Sequence, residues 1–519
     1  MRARGIPSAL ALALAALACE GGGDGGGGLE VKREPIAPGC TPLGRSFPSG
    51  LAILPSVLPG RAVAALPDIP SVWSFELEGD TPRVLAVHPL GPDSDADGVA
   101  DRDAMRAITG LPLSAVTGDV AAPADDLALV STSGYEQVLV HDAATAQPRG
   151  VVLELPAAAP AGRLPLWPPP GEARLRTGVS TLACIFPPDP TDSEGTAIGE
   201  HAACPPGAPS YLTTFTAGKA LAGGRLFVAT SNLAGASRYR PGTVLVFTWS
   251  DAGGTPRVAP DPATPVLFTR GFNPTGMRRI VTAAGRELVL VTTTGAIGAG
   301  SGAGNVRSES GVEVIDPSVP RVAAVIPLGF AGPSFDALSV DAGGRIGWLG
   351  ASSQRQLYAV DLRALEDDAL YAASGPPALL DGMSAGRPDA RVFHADAPLV
   401  LPDRADGAPP ASCEGFTHAA VNAAGNEVFA TDFCDGTLTR VRMDLAGSPP
   451  PPWPGLRFQI AGQQDAFAPL PAIGLLRAPG AVRVRPGEPG ADYSGPDVLV
   501  VVGQPEGQLC ALRVDAPAP

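Results

Sequence analysis

The sequence predicts an all-β protein, and three observations support that prediction. The 519 residues include 64 glycines and 58 prolines but only 17% charged residues, a mixture typical of short strands joined by turns. A unit of two apolar strands separated by a turn recurs seven times along the chain. Each copy follows a strand of small residues, and the first six copies precede a further apolar run. Together these observations predict units of four strands rather than long helices.

The seven copies define the expected blades of a ring. They cover 61–77, 127–142, 225–249, 287–316, 346–362, 427–443 and 497–515. Four antiparallel strands per unit are the plan of a β-propeller blade, in which alternating apolar residues let each sheet pack on its neighbours. We therefore predict a seven-bladed β-propeller with four-stranded blades. A pair of β-sandwich domains is the alternative that the same strand pattern allows.

The N-terminus has the parts of an export signal. "MRAR" is basic, "ALALALAAL" is an apolar stretch too short to span a bilayer comfortably, and "ALAC" ends at Cys19. This pattern resembles a bacterial lipoprotein signal peptide, which is removed before a cysteine that then carries lipid. The resemblance implies that residues 1–18 form the signal peptide and that Cys19 is the lipidated residue. An ordinary secretory signal cut nearby is the alternative.

Residues 19–33 are predicted to be a flexible tether. The segment "EGGGDGGGG" has no apolar face to bury, and its mean reach is about 17 Å. Residues 34–519 then form the propeller domain, anchored to a bacterial membrane through lipid only. Glu20 follows the lipidated position, which favours the outer membrane over inner-membrane retention. The predicted location is therefore periplasmic or on the cell surface.

The last copy of the unit predicts how the ring closes. Only a few residues follow its third strand, so the final blade lacks an outer strand and would leave an open sheet edge. The segment 34–44 can supply that strand, which would bring Cys40 beside Cys510 within disulfide range. Six cysteines besides Cys19 in an exported chain favour disulfides. The predicted pairs are Cys40–Cys510, Cys184–Cys204 and Cys413–Cys434.

The acidic stretch "DSDADGVADRDA" has the spacing of a calcium-binding loop within an insertion at 92–111. Alternate oxygen ligands around Gly98 resemble the EF-hand loop and the DxDxDGxxD repeats of thrombospondin type 3 domains. The predicted ligands of a structural Ca²⁺ are Asp93, Asp95, Asp97, Val99 through its carbonyl, Asp101 and Asp103. Ala104 stands where the twelfth ligand of an EF-hand would be, and Asp103 would substitute for it. A solvated acidic turn, or a metal that serves a ligand directly, are the alternatives.

One stretch carries a resemblance to a known repeat family. The sequence "GVEVIDPSVPRVAAVIPLGFAGPSFDALSVDAGGRIGWLGAS" (311–352) resembles the YVTN-type propeller repeat of bacterial surface proteins. In that family a V-x-V-I-D strand leads to V-x-x-I-x-V-G and then to a strand ending in a D-G turn. The resemblance covers about one repeat. It implies a propeller that acts at the cell envelope.

Long insertions mark one face of the expected ring. In a propeller the loops between second and third strands, and the connections between blades, emerge on the same face, which we call the loop-bearing face. The insertions predicted there are 92–111, 157–210, 231–242, 294–310, 401–413 and 463–479. A further insertion at 363–390 falls on the opposite face and contains a predicted short helix. Because functional residues favour loops on a rigid scaffold, the loop-bearing face is the predicted binding face. The alternative is that these loops are insertions that the fold tolerates without any function, which would give the same pattern.

Little in the sequence indicates catalysis. The five histidines have no metal-ligand spacing, and the chain contains neither a GxSxG nucleophile motif nor a phosphate-binding loop. His88 and His141 fall in strands, where a structural role is expected. The enzyme alternative is a lactonase-like hydrolase with a metal at the central channel, for which Asp126, Asp336 and Asn422 are inner-strand candidates. No catalytic residue is predicted.

Charge limits the range of partners. A formal charge of −15 and a pI near 4.8, with no visible basic patch, argue against nucleic acid. The predicted function is therefore binding or scaffolding by a monomer, with an envelope protein or polysaccharide as partner.

Overall fold

The chain forms short strands, as the sequence predicts. The computed structural model describes residues 39–43, 50–53, 61–66, 71–77, 81–89, 117–124, 126–132, 137–154, 212–233, 239–251, 256–295, 310–329, 338–341, 343–351, 356–372, 375–380, 399–400, 416–421, 427–432, 437–443, 458–465, 480–483, 497–502 and 508–514. Two short helical segments accompany the strands: a 3₁₀ turn at Arg363–Glu366 and the one-turn helix α1 at Ala369–Ala372. None of the described helices is long and apolar enough to cross a membrane.

The strands of the first half of the chain are as follows. They are β1 (Gly39–Pro42), β2 (Gly50–Ile53), β3 (Arg61–Leu66), β4 (Ser71–Glu76), β5 (Arg83–Pro89), β6 (Thr117–Ala124), β7 (Leu127–Thr132), β8 (Gln137–Asp142), β9 (Pro148–Glu154), β10 (Leu212–Ala222), β11 (Arg225–Leu233), β12 (Tyr239–Ser250), β13 (Arg257–Pro260) and β14 (Val266–Phe272).

The second half continues the same pattern. Its strands are β15 (Pro274–Val281), β16 (Glu287–Thr293), β17 (Ser310–Asp316), β18 (Arg321–Gly329), β19 (Ser339–Val340), β20 (Ile346–Ala351), β21 (Gln356–Asp361), β22 (Ala378–Leu379), β23 (Leu399–Val400), β24 (Phe416–Val421), β25 (Glu427–Asp432), β26 (Thr437–Met443), β27 (Phe458–Asp465), β28 (Gly480–Arg483), β29 (Asp497–Val502) and β30 (Gln508–Val514).

These strands fall into seven sheets within the described part of the chain. Blades one to six are built from β2–β5, β6–β9, β10–β14, β15–β18, β19–β23 without β22, and β24–β27. The seventh has the order β1-β30-β29-β28, so a strand from the N-terminal end completes the last blade. Each predicted copy of the repeated unit supplies the second and third strands of one sheet. The prediction of an all-β propeller closed by an N-terminal strand is confirmed.

Contacts between sheets close the ring. The first strands of neighbouring blades touch in chain order, β2 with β6, β6 with β10 and β10 with β15, and then β24 with β28 and β28 back to β2. Blades four and five join through a buried cluster that includes Leu290 of β16 and Leu349 of β20. At the closure, Leu509 of β30 packs with Phe75 of blade one. Burying each such side chain contributes about 1.5–3 kcal/mol.

Strand alternation explains how each blade packs on both sides. In β16, Leu288 and Leu290 belong to the cluster shared with blade five, whereas Val289 and Val291 pack against blade three. Side chains point alternately to the two faces of a strand, so a sheet buried on both faces is apolar at nearly every position. A polar residue within such a strand is therefore an exception that needs a partner.

Two insertions differ from or refine the sequence prediction. The prediction of a long loop at 231–242 is wrong, because β11 and β12 continue through most of it, pairing Asn232 with Arg240 and Leu233 with Tyr239. The backbone pairs there instead of leaving its N–H and C=O groups to solvent. In the insertion at 363–390, the predicted short helix is confirmed. After that helix, β22 crosses back to blade four and pairs in parallel with β18.

Candidate functional site

A recess lies between blades three and four, on the side of the loop-bearing face. Its volume is about 210 Å³. The walls are the ends of β14, β16 and β17 with part of β18, and Leu379 of β22 lines it as well. Because β14 leads into the connection between blades and β16 leads into a loop between second and third strands, the recess belongs to the predicted binding face.

Gly271 of β14 lets the two blades approach each other here. A methyl group placed on it would lie 2.1 Å from Oγ1 and 2.6 Å from Cβ of Thr293, which is closer than atoms can pack. The missing side chain brings the β14 backbone against β17. The Gly271 N–H then faces blade four rather than solvent.

Glu313 accepts a hydrogen bond from that N–H. It lies in the middle of β17, opposite Val291 of β16 and Val325 of β18, and its side chain is 0% exposed. Its Oε1 accepts a hydrogen bond of 2.8 Å from the backbone N–H of Gly271. Its Oε2 has no hydrogen-bond partner among the described residues. Glu313 is therefore a fully buried acid with one oxygen satisfied and the other buried without a hydrogen-bond partner among the described residues.

Burial sets the ionisation of this carboxyl. Loss of hydration raises the pKa of Glu313 to about 7, against the opposing effect of the backbone N–H groups of Gly271 and Arg270 and of the Arg270 charge. Near neutral pH both forms are thus populated. In the protonated form the acid can donate a hydrogen bond, and in the ionised form it can only accept.

The remaining polar groups of the recess complete its chemistry. Arg270 is exposed, and its charge acts on the carboxyl of Glu313. The hydroxyl of Thr293 donates to the Gly311 carbonyl at 3.1 Å, and that of Ser310 donates to the Thr294 carbonyl at 2.9 Å. Both hydroxyls are therefore held in place by hydrogen bonds to backbone carbonyls.

Hydrogen bonds between the two blades fix the wall beside the recess. Asn273 adopts a left-handed backbone conformation with φ of 51°, and its Nδ2 donates to Thr294 Oγ1 at 2.8 Å. The N–H of Thr294 donates to the Asn273 carbonyl at 3.1 Å, and the N–H of Gly295 donates to the Phe272 carbonyl at 3.0 Å. This end of blade three is therefore tied to the end of β16, which holds the recess open in one geometry.

His141 lies in β8 of blade two. His141 is buried, and its Nδ1–H donates to the Ala146 carbonyl at 2.8 Å, so the predicted structural role is confirmed for this residue. Its ring centroid lies 5.6 Å from that of His88 in blade one. Burial lowers the pKa of His141 to about 4. His141 therefore remains neutral in the folded protein across the ordinary pH range.

The structure brings together one predicted pair of site residues. Cys40 and Cys510 are direct partners in the register of β1 with β30, as expected for the predicted disulfide. The disulfide itself stays a prediction. The other predicted site residues lie outside the described residues: Cys19, Asp93, Asp95, Asp97, Val99, Asp101, Asp103, Cys184, Cys204, Cys413 and Cys434.

The three residues predicted as candidates for a catalytic site in the central channel are not brought together by the described part of the structure. Asp126 lies in the turn between β6 and β7 and engages Arg149 of the outermost strand at 3.3 Å, away from the channel. Asp336 and Asn422 lie outside the described residues. Within the part of the chain that the structure describes, no group of three or more His, Cys, Asp or Glu side chains is placed to hold a metal ion.

Sequence reasoning missed Glu313, although a signal was present. In "SGVEVID" the acid occupies a position where its neighbours alternate as apolar residues on two buried faces. An acid in a doubly buried strand is unusual unless it has a partner. The partner, Gly271, comes from the preceding blade, 42 residues earlier in the chain.

Comparisons with known proteins do not identify a family. No family model and no curated protein matches the chain. Similar solved structures include the Swd1 β-propeller domain of Myceliophthora thermophila, at 9% identity and TM-score 0.44 over 92% of this chain and 100% of that one. They also include hydrazine synthase of Kuenenia stuttgartiensis, at 11% identity and TM-score 0.37 over 74% and 80%. The calcium-binding protein regucalcin of Agrobacterium tumefaciens shows 10% identity and TM-score 0.36 over 94% and 98%. Likenesses at this level indicate neither ligand nor activity.

Proposed function

We propose that this protein is an exported β-propeller, anchored to a bacterial membrane by lipid on Cys19, that binds a ligand at the cell envelope through its loop-bearing face. The observation that carries the proposal is the recess at that face, in which buried Glu313 keeps one carboxyl oxygen without a partner among the described residues. A buried polar group of this kind costs free energy unless something hydrogen-bonds to it. A bound ligand supplies that missing partner.

The composition of the recess supports binding rather than hydrolysis. Among its described lining residues, Glu313 is the only acid, and there is no histidine or cysteine. General acid–base catalysis by paired groups needs a second titratable side chain within hydrogen-bond reach of the first. The lactonase-like alternative depends on a metal at the central channel, and no observation of the described residues favours it.

The test of ligand binding uses three small probes that differ in charge: butyrate, butyramide and butylammonium. We expect at least one of them to raise the melting temperature of the full chain at pH 6, because a ligand at ten times its Kd stabilises the folded state by about 1.4 kcal/mol. Leu379→Trp should abolish the rise by filling the recess, since Leu379 lines it and is 48% exposed. Val319→Trp, at a 64% exposed position outside the recess, is the matched control. No shift with any probe would refute the binding site.

Lipid anchoring at Cys19 positions this site. The signal at 1–18 and the glycine-rich tether at 19–33 support export and a mobile attachment, with the outer membrane as the favoured location. Radiolabelled palmitate should enter the parent chain but not Cys19→Ser. Equal labelling of the two chains, or none in the parent, would contradict the anchor.

Calcium is proposed to order the insertion at 92–111 on the same face. The hard oxygen ligands and their spacing support Ca²⁺ as the ion. Calorimetry should show heat of calcium binding for the parent and a clear loss for Asp95→Ala and for Asp97→Ala. Equal uptake by parent and variants would remove the site.

The partner is proposed to be an envelope protein or polysaccharide that presents its binding group to a monomeric propeller. The strongly acidic chain supports this over nucleic acid, which would be repelled. The recess admits only a small part of such a partner, so its chemistry is set by the few groups that line the recess.

A further inference from the structure

We propose that the recess between blades three and four recognises an aliphatic carboxylate of about six non-hydrogen atoms, held by a hydrogen bond from the protonated side chain of Glu313 and by the charge of Arg270. This inference rests on the proposed binding function and names the ligand class of that site. It follows from the carboxyl oxygen of Glu313 that has no partner among the described residues, from the charges that line the recess and from its size.

The hydrogen bonds of Glu313 leave one carboxyl oxygen for a ligand. Oε1 is occupied by the Gly271 N–H at 2.8 Å, which leaves Oε2 as the atom without a partner among the described residues. When Glu313 is protonated on Oε2, this atom is an O–H donor, and it needs an acceptor. A carboxylate is the strongest acceptor available, because a hydrogen bond to an ionised oxygen is roughly twice as strong as a neutral one.

The charges of the recess favour an anion over a cation. Among the described residues that line the recess, β14 contributes the charged Arg270, and β16, β17, β18 and β22 contribute no charged group besides Glu313 itself. A bound carboxylate beside neutral Glu313 and positive Arg270 gives a recess without net charge. A bound cation would need ionised Glu313 and would lie near Arg270, which leaves a net positive charge.

The size and lining of the recess set the rest of the ligand. A volume of 210 Å³ corresponds to about seven water-sized groups. Besides the polar groups of Glu313 and Arg270, the recess has an apolar surface formed by Val325, Pro327 and Leu379. A short aliphatic chain fits that surface, whereas a sugar ring would leave several hydroxyls without partners.

Binding of this ligand is coupled to a proton. Burial raises the pKa of Glu313 to about 7, so the protonated form dominates at pH 6 and is the minor form at pH 8. A butyrate ion remains ionised throughout that range, so only Glu313 changes. The affinity for a carboxylate should therefore fall about tenfold between pH 6 and pH 8.

The test measures butyrate binding by calorimetry at pH 6 and pH 8, with butyramide and butylammonium as matched probes. We expect butyrate to bind best, with an affinity about tenfold higher at pH 6 than at pH 8. Glu313→Gln keeps a donor in the same place but cannot ionise, so its affinity for butyrate should be the same at both pH values. Arg270→Gln should weaken butyrate at both pH values, while Arg257→Gln, an exposed arginine of the same blade outside the recess, should change nothing.

The possible outcomes separate the ligand class from the binding function. Stronger binding of butylammonium, or an affinity for butyrate that rises with pH, would overturn the carboxylate assignment and leave the binding function intact. The same holds if Glu313→Gln binds butyrate with the pH dependence of the parent. Failure of all three probes at both pH values would overturn both proposals together. Butyrate binding that is weakened by Arg257→Gln and unaffected by Arg270→Gln would place the ligand outside the recess.

Discussion

Glu313→Gln should make the folded protein more stable at alkaline pH. In the unfolded chain this carboxyl ionises near its ordinary pKa of 4.5, whereas burial in β17 raises its pKa to about 7. Between these two values the folded protein holds a proton that the unfolded chain has released. Stability is therefore fully present below pH 4.5 and decreases as the pH rises through 7.

The size of the effect follows from the two pKa values. The difference between 4.5 and about 7 corresponds to about 3 kcal/mol, since each pKa unit is worth about 1.36 kcal/mol. Glutamine carries no charge at any pH, so the variant avoids this loss. Its free energy of unfolding relative to the parent should rise by about 3 kcal/mol between acid and alkaline conditions.

Urea unfolding of parent and variant at pH 4.5 and pH 8.5 measures this difference. Any cost of fitting the amide into the site is the same at both pH values and cancels in the comparison. Glu366→Gln, at an exposed carboxylate in the 3₁₀ turn, is the control and should show no such pH dependence. The reasoning is refuted if Glu313→Gln and the parent lose the same free energy between the two pH values.

Three further predictions concern other parts of the ring. Burial lowers the pKa of His141 from 6.5 to about 4. The free energy of unfolding should therefore fall by about 3 kcal/mol as the pH drops from 6.5 to 4. In urea unfolding, His141→Asn should remove most of that loss. Gly271→Ala should lower the unfolding free energy by about 1–3 kcal/mol through overpacking, whereas Gly375→Ala, whose added methyl meets nothing within 4 Å, should change it by less than about 0.5 kcal/mol. Non-reducing peptide mapping should link Cys40 to Cys510, and reducing that bond should cost about 2–4 kcal/mol; a different pairing would contradict the proposed closure.

The ring could be predicted because its signals are local. Each predicted unit contains two strands and the turn between them, and alternation with turn residues marks these over a few positions. The closure also followed from one physical rule, that a sheet edge should not be left open. The pairing of Cys40 opposite Cys510 in β1 and β30 agrees with it.

The recess could not be predicted in the same way. It depends on which faces of β14 and β17 meet. It also depends on the absence of a side chain at Gly271, because any side chain there would collide with Thr293, which is distant in the sequence. Likewise, β22 follows the strands β20 and β21 of blade five in the chain but pairs in parallel with β18 of blade four. This pairing depends on packing and not on any turn signal. The sequence showed only that Glu313 is out of place in an apolar strand. That Gly271 is its hydrogen-bond partner could be seen only in the structure.

The position of Glu313 in a wall between blades couples ligand binding to the packing of the ring. Ionising this carboxyl weakens the packing of blade three on blade four, because the charge is buried with one oxygen unpaired. The same ionisation removes the hydrogen-bond donor that a carboxylate ligand requires. Since one proton serves both purposes, linkage requires that ligand binding raise the pKa of Glu313 and that a fall in pH strengthen both ligand binding and the blade interface. A carboxylate ligand should therefore protect this interface most in a mildly acidic environment.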